Sequence, residues 1–374
     1  MRVLIAPDSF KGSLTSVQVA RALADGWARA RPDDEIALCP LADGGEGTLE
    51  AIAAAGGWRW RETGVADPLG RPIRARWLAS ANGAGMRAAI EMAEASGLSR
   101  LAPTERDVIG ATSIGTGELL RAAVDEGATS IVLGIGGSAT TDGGAGLLRG
   151  LGATADRDMA TADLAGLDDR LSGVDLAVAC DVTNPLLGPT GTAAVYGPQK
   201  GATPDVVADL DRRLTGYADA LEAASGRRVR DVPGAGAAGG VGFALLAIAD
   251  RFRTFALRPG IELVFEATDF ASHLAAADLV ISGEGRIDAQ TAFGKTALGV
   301  ARRAAEAGVA CVAVGGGVEP EGIDALAATG AVAVPVTERP MTVEAAMAAG
   351  PDPVARCGER IARLVSIGLL RAGA

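Results

Sequence analysis

The chain has 374 residues, about twice the length of a single domain, so two domains are expected. Hydrophobic residues make up 48% and charged residues 22%, which excludes the disordered and collagen-like classes. A formal net charge of −11 with no basic run to offset it argues against nucleic acid or an anionic membrane as partner. It leaves room for a small anionic substrate held by local arginines and backbone amides.

In chain order, short apolar and β-branched runs alternate with Ala/Leu/Arg segments of helical period, the pattern of an α/β protein with largely parallel sheets. The strands predicted first are 2–7 and 35–41. Residues 58–93 lack a long helical stretch and read as antiparallel or mixed strands joined by turns. Further strands are predicted at 130–136, 175–181, 278–283, 309–315 and 331–336, most ending in Gly, Asp or Pro just before a helix. Because an open parallel sheet is built of βα units, residues 1–65 and 270–374 are expected to form one discontinuous Rossmann-like domain. Residues 66–269 would be an inserted mixed-sheet α/β domain.

Four cysteines, Cys39, Cys180, Cys311 and Cys357, lie far apart without a Cys-x-x-Cys, and the chain has one histidine, so zinc-site and disulfide readings fail. Val3-Leu4-Ile5 is too short an apolar stretch for a signal peptide. Residues 232–249 carry no charge but contain five glycines and a proline, which suits a glycine-rich loop entering a buried helix better than a membrane span. A cytoplasmic protein is the expectation.

The 35 basic residues include only three lysines, Lys11, Lys200 and Lys295, and each touches a glycine. A compact ammonium and an arginine fork are not interchangeable beside a phosphate, so these positions attract notice. The predicted strand ends carry polar glycine-rich segments: Asp8 to Ser13, Asp43 to Thr48, Gly134 to Gly144, Asp181 to Pro185, Gly197 to Gly201 and Gly283 to Asp288, the last followed by Gly294-Lys295-Thr296. Glycine lets backbone approach a phosphate, and the following helix offers unpaired amides to it.

Two motif tests are near misses. A Walker A loop ending at Gly294-Lys295-Thr296 would need glycine at 289, which is Ala289. Gly134-Ile135-Gly136-Gly137-Ser138-Ala139 fits a relaxed dinucleotide fingerprint, so an NAD-dependent hydroxyacid dehydrogenase is the main rival. No ribose-binding acid ends the next strand, however, and His273 sits in a helical context that favours a structural role. A non-catalytic ligand-binding regulator on the same fold ranks third. Phosphoryl transfer needs no histidine: it needs carboxylates to hold metal, cations or amides on the phosphoryl oxygens, and an acceptor for the hydroxyl proton. Asp8, Asp43, Glu46, Asp142, Asp181, Glu284 and Asp288 offer the carboxylates, and Lys11, Lys200, Arg286 and Lys295 the cations. Each carboxylate alone could equally cap a helix.

The same segments resemble the type I glycerate kinases: APDSFKGSLT (6–15), PLADGGEGT (40–48), DPLGR (67–71), TSIGTGELL (112–120), GIGGSATTDGGAG (134–146), CDVTNPLLG (180–188), YGPQKGA (196–202), GAGAAGGVG (234–242) and GEGRIDAQTAFGKT (283–296). The resemblance runs from residue 3 to about 315. It implies a two-domain α/β kinase with the active site in the cleft between the domains, using ATP and Mg²⁺ on D-glycerate, with 2-phosphoglycerate the main product of bacterial members, in glycerate and glyoxylate catabolism. One departure is Thr141, where the family usually has Asn. The site expected on these grounds has Asp181, Asp288, Lys295 and Lys11 as catalytic groups, one of Asp181 and Asp288 being the base and the other the metal ligand. Asp8, Ser9, Asp43, Glu46, Asn184, Lys200 and Arg286 would bind substrate. Gly134, Gly136, Gly137, Ser138, Asp142, Gly283, Glu284 and Gly285 would bind the nucleotide. Glycerate and ATP are the expected partners, and a homo-oligomer is left open.

Overall fold

The computed structural model describes residues 1–82, 85–158, 160–289, 291 and 296–372. Its strands are β1 (Arg2–Pro7), β2 (Glu35–Leu38), β3 (Arg59–Ala66), β4 (Pro72–Asn82), β5 (Gly85–Glu91), β6 (Ala128–Gly134), β7 (Thr154–Asp156), β8 (Thr161–Asp163), β9 (Asp175–Ala179), β10 (Thr254–Arg258), β11 (Leu279–Ile287), β12 (Ala310–Val318) and β13 (Val332–Pro335). Contacts divide the chain into two units. Unit 1 comprises Met1–Asp43, Glu50–Gly56 and Val264–Ala374, and unit 2 comprises Gly44–Leu49 and Gly57–Leu263.

Unit 1 is built on a parallel sheet of order β13-β12-β11-β1-β2. Its central strands begin as continuous apolar runs, Val3–Ala6, Leu279–Ile281 and Cys311–Val314, as a parallel sheet covered on both faces requires. Val3, Ile5, Leu279, Ile281 and Val314 form one core with Leu23 and Trp27 of the helix Ser16–Ala30 and Cys357 and Ile361 of the helix Asp352–Ala372. Those two helices pack closely because glycine stands at the contact: a Cβ on Gly26 would lie 1.8 Å from the Ala355 carbonyl oxygen, and one on Gly358 2.5 Å from that of Leu23. The first helix starts in a capping box, with the Thr15 hydroxyl accepting from the Gln18 amide and the Gln18 side chain accepting from the Thr15 amide.

Unit 2 holds the mixed sheet, order β10-β9-β6-β5-β4-β3, in which β3, β4 and β5 run antiparallel and β5, β6, β9 and β10 run parallel. Trp77, Ile90, Leu133, Val178, Tyr217 and Phe243 lie in its core. The long helix Pro204–Ser225 has a proline at its start, a Thr203 cap and Gly226 at φ 70° just past its end, which is how the sequence marks its limits. The 232–249 stretch forms a tight 3₁₀ turn, Ala237–Gly240, entering the buried helix Val241–Ala247. Among the described residues no helix is long and apolar enough to cross a membrane.

An α/β architecture with one parallel and one mixed sheet is present as expected; β3, placed by the sequence reading in the first domain, instead pairs with β4 in the mixed sheet. The sequence reading missed β10 and the small β7-β8 ribbon. It also ended β11 and β12 too early, at Gly283 and Gly315: parallel pairing continues through Arg286↔Gly317 and Ile287↔Val318. The segment Gly283–Ile287, expected as a loop, is therefore strand. Its glycines serve sheet packing as well, since a Cβ on Gly283 would meet the Val314 side chain at 2.4 Å.

Candidate functional site

In unit 1 the carboxyl ends of the strands open on a pocket of about 920 Å³. Asp8, Ser9, Lys11, Asp43, Glu284, Gly285 and Arg286, all singled out in the sequence, line it. Asp8 follows β1 directly, its amide continuing the ladder to the Gly283 carbonyl at 2.8 Å. The loop after it is closed by a bridge between Phe10 and Leu14, whose backbones exchange hydrogen bonds of 2.8 and 3.0 Å. Phe10 and Leu14 are buried by this arrangement, while Lys11 between them stays exposed. Gly285 permits that loop to lie against β11, because a Cβ there would come within 3.3 Å of the Phe10 Cα.

The charges of this pocket are coupled. The Asp8 carboxylate accepts from the Ser9 amide (2.6 Å) and the Thr296 hydroxyl (2.7 Å) and is buried. Burial, with the neighbouring charge of Asp43, pushes its pKa up to about 6, more than these hydrogen bonds and Lys11 bring it down. Lys11 Nζ lies 3.1 Å from Asp43 Oδ2. Desolvation works against the lysine's charge, yet Asp43, Asp8 and Glu284 together hold its pKa above the ordinary value. Glu284 is buried and accepts from the Thr291 hydroxyl at 2.5 Å. Beyond the end of β11, Asp288 lies 3.5 Å from Arg286, which also pairs with Glu319. Gly283 lies inside the sheet. Lys295, with Gly294, lies outside the described residues.

Unit 2 brings the remaining positions to the ends of β6, β9 and β10, but treats them differently. Gly134 and Gly136 have no side chain because other backbone occupies that space: a Cβ on each would lie 2.7 Å from the Gly44 carbonyl oxygen and the Gly45 Cα respectively. Gly137, at φ 71°, turns the chain, and the next helix does not begin until Ala145. A dinucleotide fold would start its helix inside the fingerprint, so these glycines are accounted for by packing.

Lys200 is buried, 1% exposed, and its Nζ donates to Ser138 Oγ (3.1 Å) and the Thr140 carbonyl (2.5 Å). Burial lowers its pKa to about 7 against the attraction of Asp142. Asp142 is buried too and accepts from the amides of Ser113, Gly144 and Gly146 and from the Ser113 hydroxyl. It thus takes up a first-turn amide of the helix Ala145–Gly150 and anchors Ser113, the residue just before the helix Ile114–Asp125. The buried hydroxyls of Thr140, Thr141, Thr192 and Tyr217 have no hydrogen-bond partner among the described residues.

Asp181 is exposed just past β9 and accepts from the Gly260 amide at 3.0 Å. Asn184 is fixed in a turn by donating to the Thr190 carbonyl (2.8 Å) and accepting from the Tyr196 hydroxyl (2.7 Å). Glu46 is exposed on the loop before the helix Thr48–Ala54. Sequence reasoning passed over Glu91, which ends β5 buried and accepts from the Leu49 amide at 2.6 Å. Its signal was available: an acid closing an apolar strand.

Among the described residues no three His, Cys, Asp or Glu side chains form a group able to hold a metal ion. Magnesium commonly takes one or two carboxylates and completes its shell with water and substrate phosphates, so a ready-made cage is not required.

Comparison with known proteins identifies the family. The pattern of the Glycerate kinase family matches residues 3–366. A protein named Glycerate kinase from Bacillus subtilis (strain 168) is 44% identical over 359 residues, covering 90% of this chain and 92% of the relative. Glycerate 2-kinase from Escherichia coli (strain K12) is 40% identical over 394 aligned residues, covering 100% of both. A crystal structure from Salmonella typhimurium LT2, put forward as a glycerate kinase 2, superposes with a TM-score of 0.84 at 41% identity and 99% coverage of each chain. With the family pattern matched over residues 3–366 and relatives 40–44% identical along nearly all or all of its length, the protein belongs to the glycerate kinase family.

Proposed function

We propose that the chain transfers the γ-phosphoryl group of ATP to the 2-hydroxyl of D-glycerate, giving 2-phosphoglycerate, with Mg²⁺ as the metal. The observation that carries this reading is the end-to-end similarity to the Escherichia coli protein named Glycerate 2-kinase. The reaction belongs to organic-acid catabolism, and the cytoplasm is its proposed compartment.

The chemistry divides among the residues as follows. Asp181 and Asp288 end strands with oxygen ligands suited to Mg²⁺, which supplies charge neutralisation on the phosphates when bound. The glycerate hydroxyl is a poor nucleophile until its proton has an acceptor, and a carboxylate with a pKa near the working pH performs that task best. Asp8 has this property, with a pKa of about 6 in a pocket that also carries a cation. It joins Asp181 and Asp288 as candidate base. Lys11 offers a positive charge for phosphoryl oxygens or the glycerate carboxylate.

Phosphorus NMR of the product formed from D-glycerate and ATP tests the reading. A 2-phosphoglycerate signal that appears only with Mg²⁺ is expected; a 3-phosphoglycerate signal, or no transfer, would overturn it.

A further inference from the structure

The pocket of unit 1 has two ends of opposite chemistry. One carries Asp8, Lys11, Asp43 and Glu284. The other runs from Val318 and Val336 to Pro340 and the segment Met341–Met347. Met341, Val343 and Met347 are 39%, 69% and 39% exposed, so apolar side chains stand uncovered at the pocket's edge. Most charged groups near that end are paired with one another: Glu338 holds Arg356 (2.9 Å) and Arg360 (3.1 Å), and Glu319 holds Arg286, while Arg339, also in the lining, is exposed and has no ion pair among the described residues. The wall they leave is an apolar one of adaptable methionines, which suits the flat face of an aromatic ring.

The segment is also tied to the polar end. The Ser13 hydroxyl donates to the Met347 carbonyl at 3.3 Å, and the Met347 Cε would lie 2.9 Å from a Cβ on Gly12. Gly317 also lines the pocket, and where its Cβ would stand the nearest atom is the Arg286 side chain at 3.8 Å, so backbone stands open there for a phosphate to approach. A three-carbon acid cannot occupy a space of about 920 Å³ or use its apolar wall, whereas a nucleotide can do both.

We propose that the adenine ring of ATP lies in the apolar end of this pocket, against Met341, Val343 and Met347, with its phosphates directed toward Lys11. This rests on the kinase reading above for the identity of the nucleotide. It assigns the base-binding role to unit 1 and asks nothing of the glycines at 134–137.

Equilibrium titration of the full chain with ATP and, separately, with inorganic tripolyphosphate tests it. Met341→Asp and Met347→Asp are expected to weaken ATP by about tenfold or more while shifting tripolyphosphate by less than about twofold. Met341→Leu and Met347→Leu should keep wild-type ATP affinity, as should Ile323→Asp, an exposed apolar position outside the pocket. Unchanged ATP affinity in folded Asp variants would overturn the proposal. So would an equal loss for tripolyphosphate, a change only in the sedimenting mass, which would make the face a contact between copies, or a wild-type chain that binds no ATP. Wild-type protein that binds ATP with this pattern but transfers no phosphate to glycerate would instead refute the kinase reading alone.

Discussion

The two units use the same sequence vocabulary, glycine-rich strand ends bearing aspartate and lysine, for opposite purposes. In unit 1 the loop after β1 turns Lys11 outward, with its side chain 73% exposed, and lines an open pocket with Asp8, Asp43 and Glu284. In unit 2 the loop after β6 buries Asp142, and the separate turn Pro198–Lys200 sends Lys200 inward against that loop, where backbone amides, a carbonyl and serine hydroxyls take up their hydrogen bonds. A buried charge held by backbone fixes a loop's shape; one facing a pocket remains available for chemistry. Both arrangements leave a charge that burial disfavours, and the sign of each pH dependence separates them.

The largest effect is expected from Lys200→Ala. The variant leaves a cavity and strips the Thr140 carbonyl of its donor, so a loss of about 3–4 kcal/mol is expected at pH 8, above the lysine pKa of about 7. Urea unfolding checks it; a loss below about 1 kcal/mol would mean that the loop does not depend on this lysine.

Asp8→Asn should act on turnover instead, lowering kcat by about 10²-fold or more. Its stability should move the other way. The folded pKa of about 6 exceeds the ordinary 3.8, so between those values the native state binds more protons than the unfolded one. Wild-type stability therefore falls as pH rises through that window, and the Asn variant should be the more stable above pH 6 with no advantage below pH 3.8. Thermal melts from pH 3.5 to 7.5 would show whether the two curves diverge; parallel curves would remove Asp8 from this role.

Lys200→Met sharpens the contrast at the alkaline side. The folded pKa of about 7 lies below the ordinary 10.5, so between them the unfolded state binds the extra proton and stability rises with pH. The Met variant should lose that rise. The smallest effect belongs to Arg286→Ala: Arg286 and Glu319 are solvent-exposed and the half-buried Asp288 stands 3.5 Å away, so stability should change by about 0.5 kcal/mol or less. Any drop in kcat/KM of that variant would then report a substrate contact.

Much of this could be read from the sequence. Runs such as Val3-Leu4-Ile5 and Ser130-Ile131-Val132-Leu133 announce buried parallel strands by composition alone. Thr254–Arg258 escaped because it is short, half-buried and flanked by Arg251 and Arg253, with neither a continuous apolar run nor a clean alternation. The loops were found through glycine and aspartate, but which way their charges face was not legible. Lys200 meets Ser138 across 62 residues, and Asp142 meets Ser113 across 29, so burial arises from tertiary contacts that no local pattern encodes. Gly283 to Ile287 reads as a loop because glycine weakens strand propensity, yet pairing along β12 overrides it.

The central pairing of unit 1 also sets an order of events during synthesis. Val3 stands beside Leu279, and the Ser282 hydroxyl donates to the Ala6 carbonyl 276 residues away in the chain. At about 5–20 residues per second, β1 and β2 leave the ribosome on the order of ten seconds to a minute before β11 exists to join them. Unit 2 has its own sheet and core in the interval and can mature first. The strand carrying Asp8 waits unpaired on one side, so the acidic pocket is assembled last, and a nascent chain halted before Leu279 would carry a finished unit 2 and no pocket.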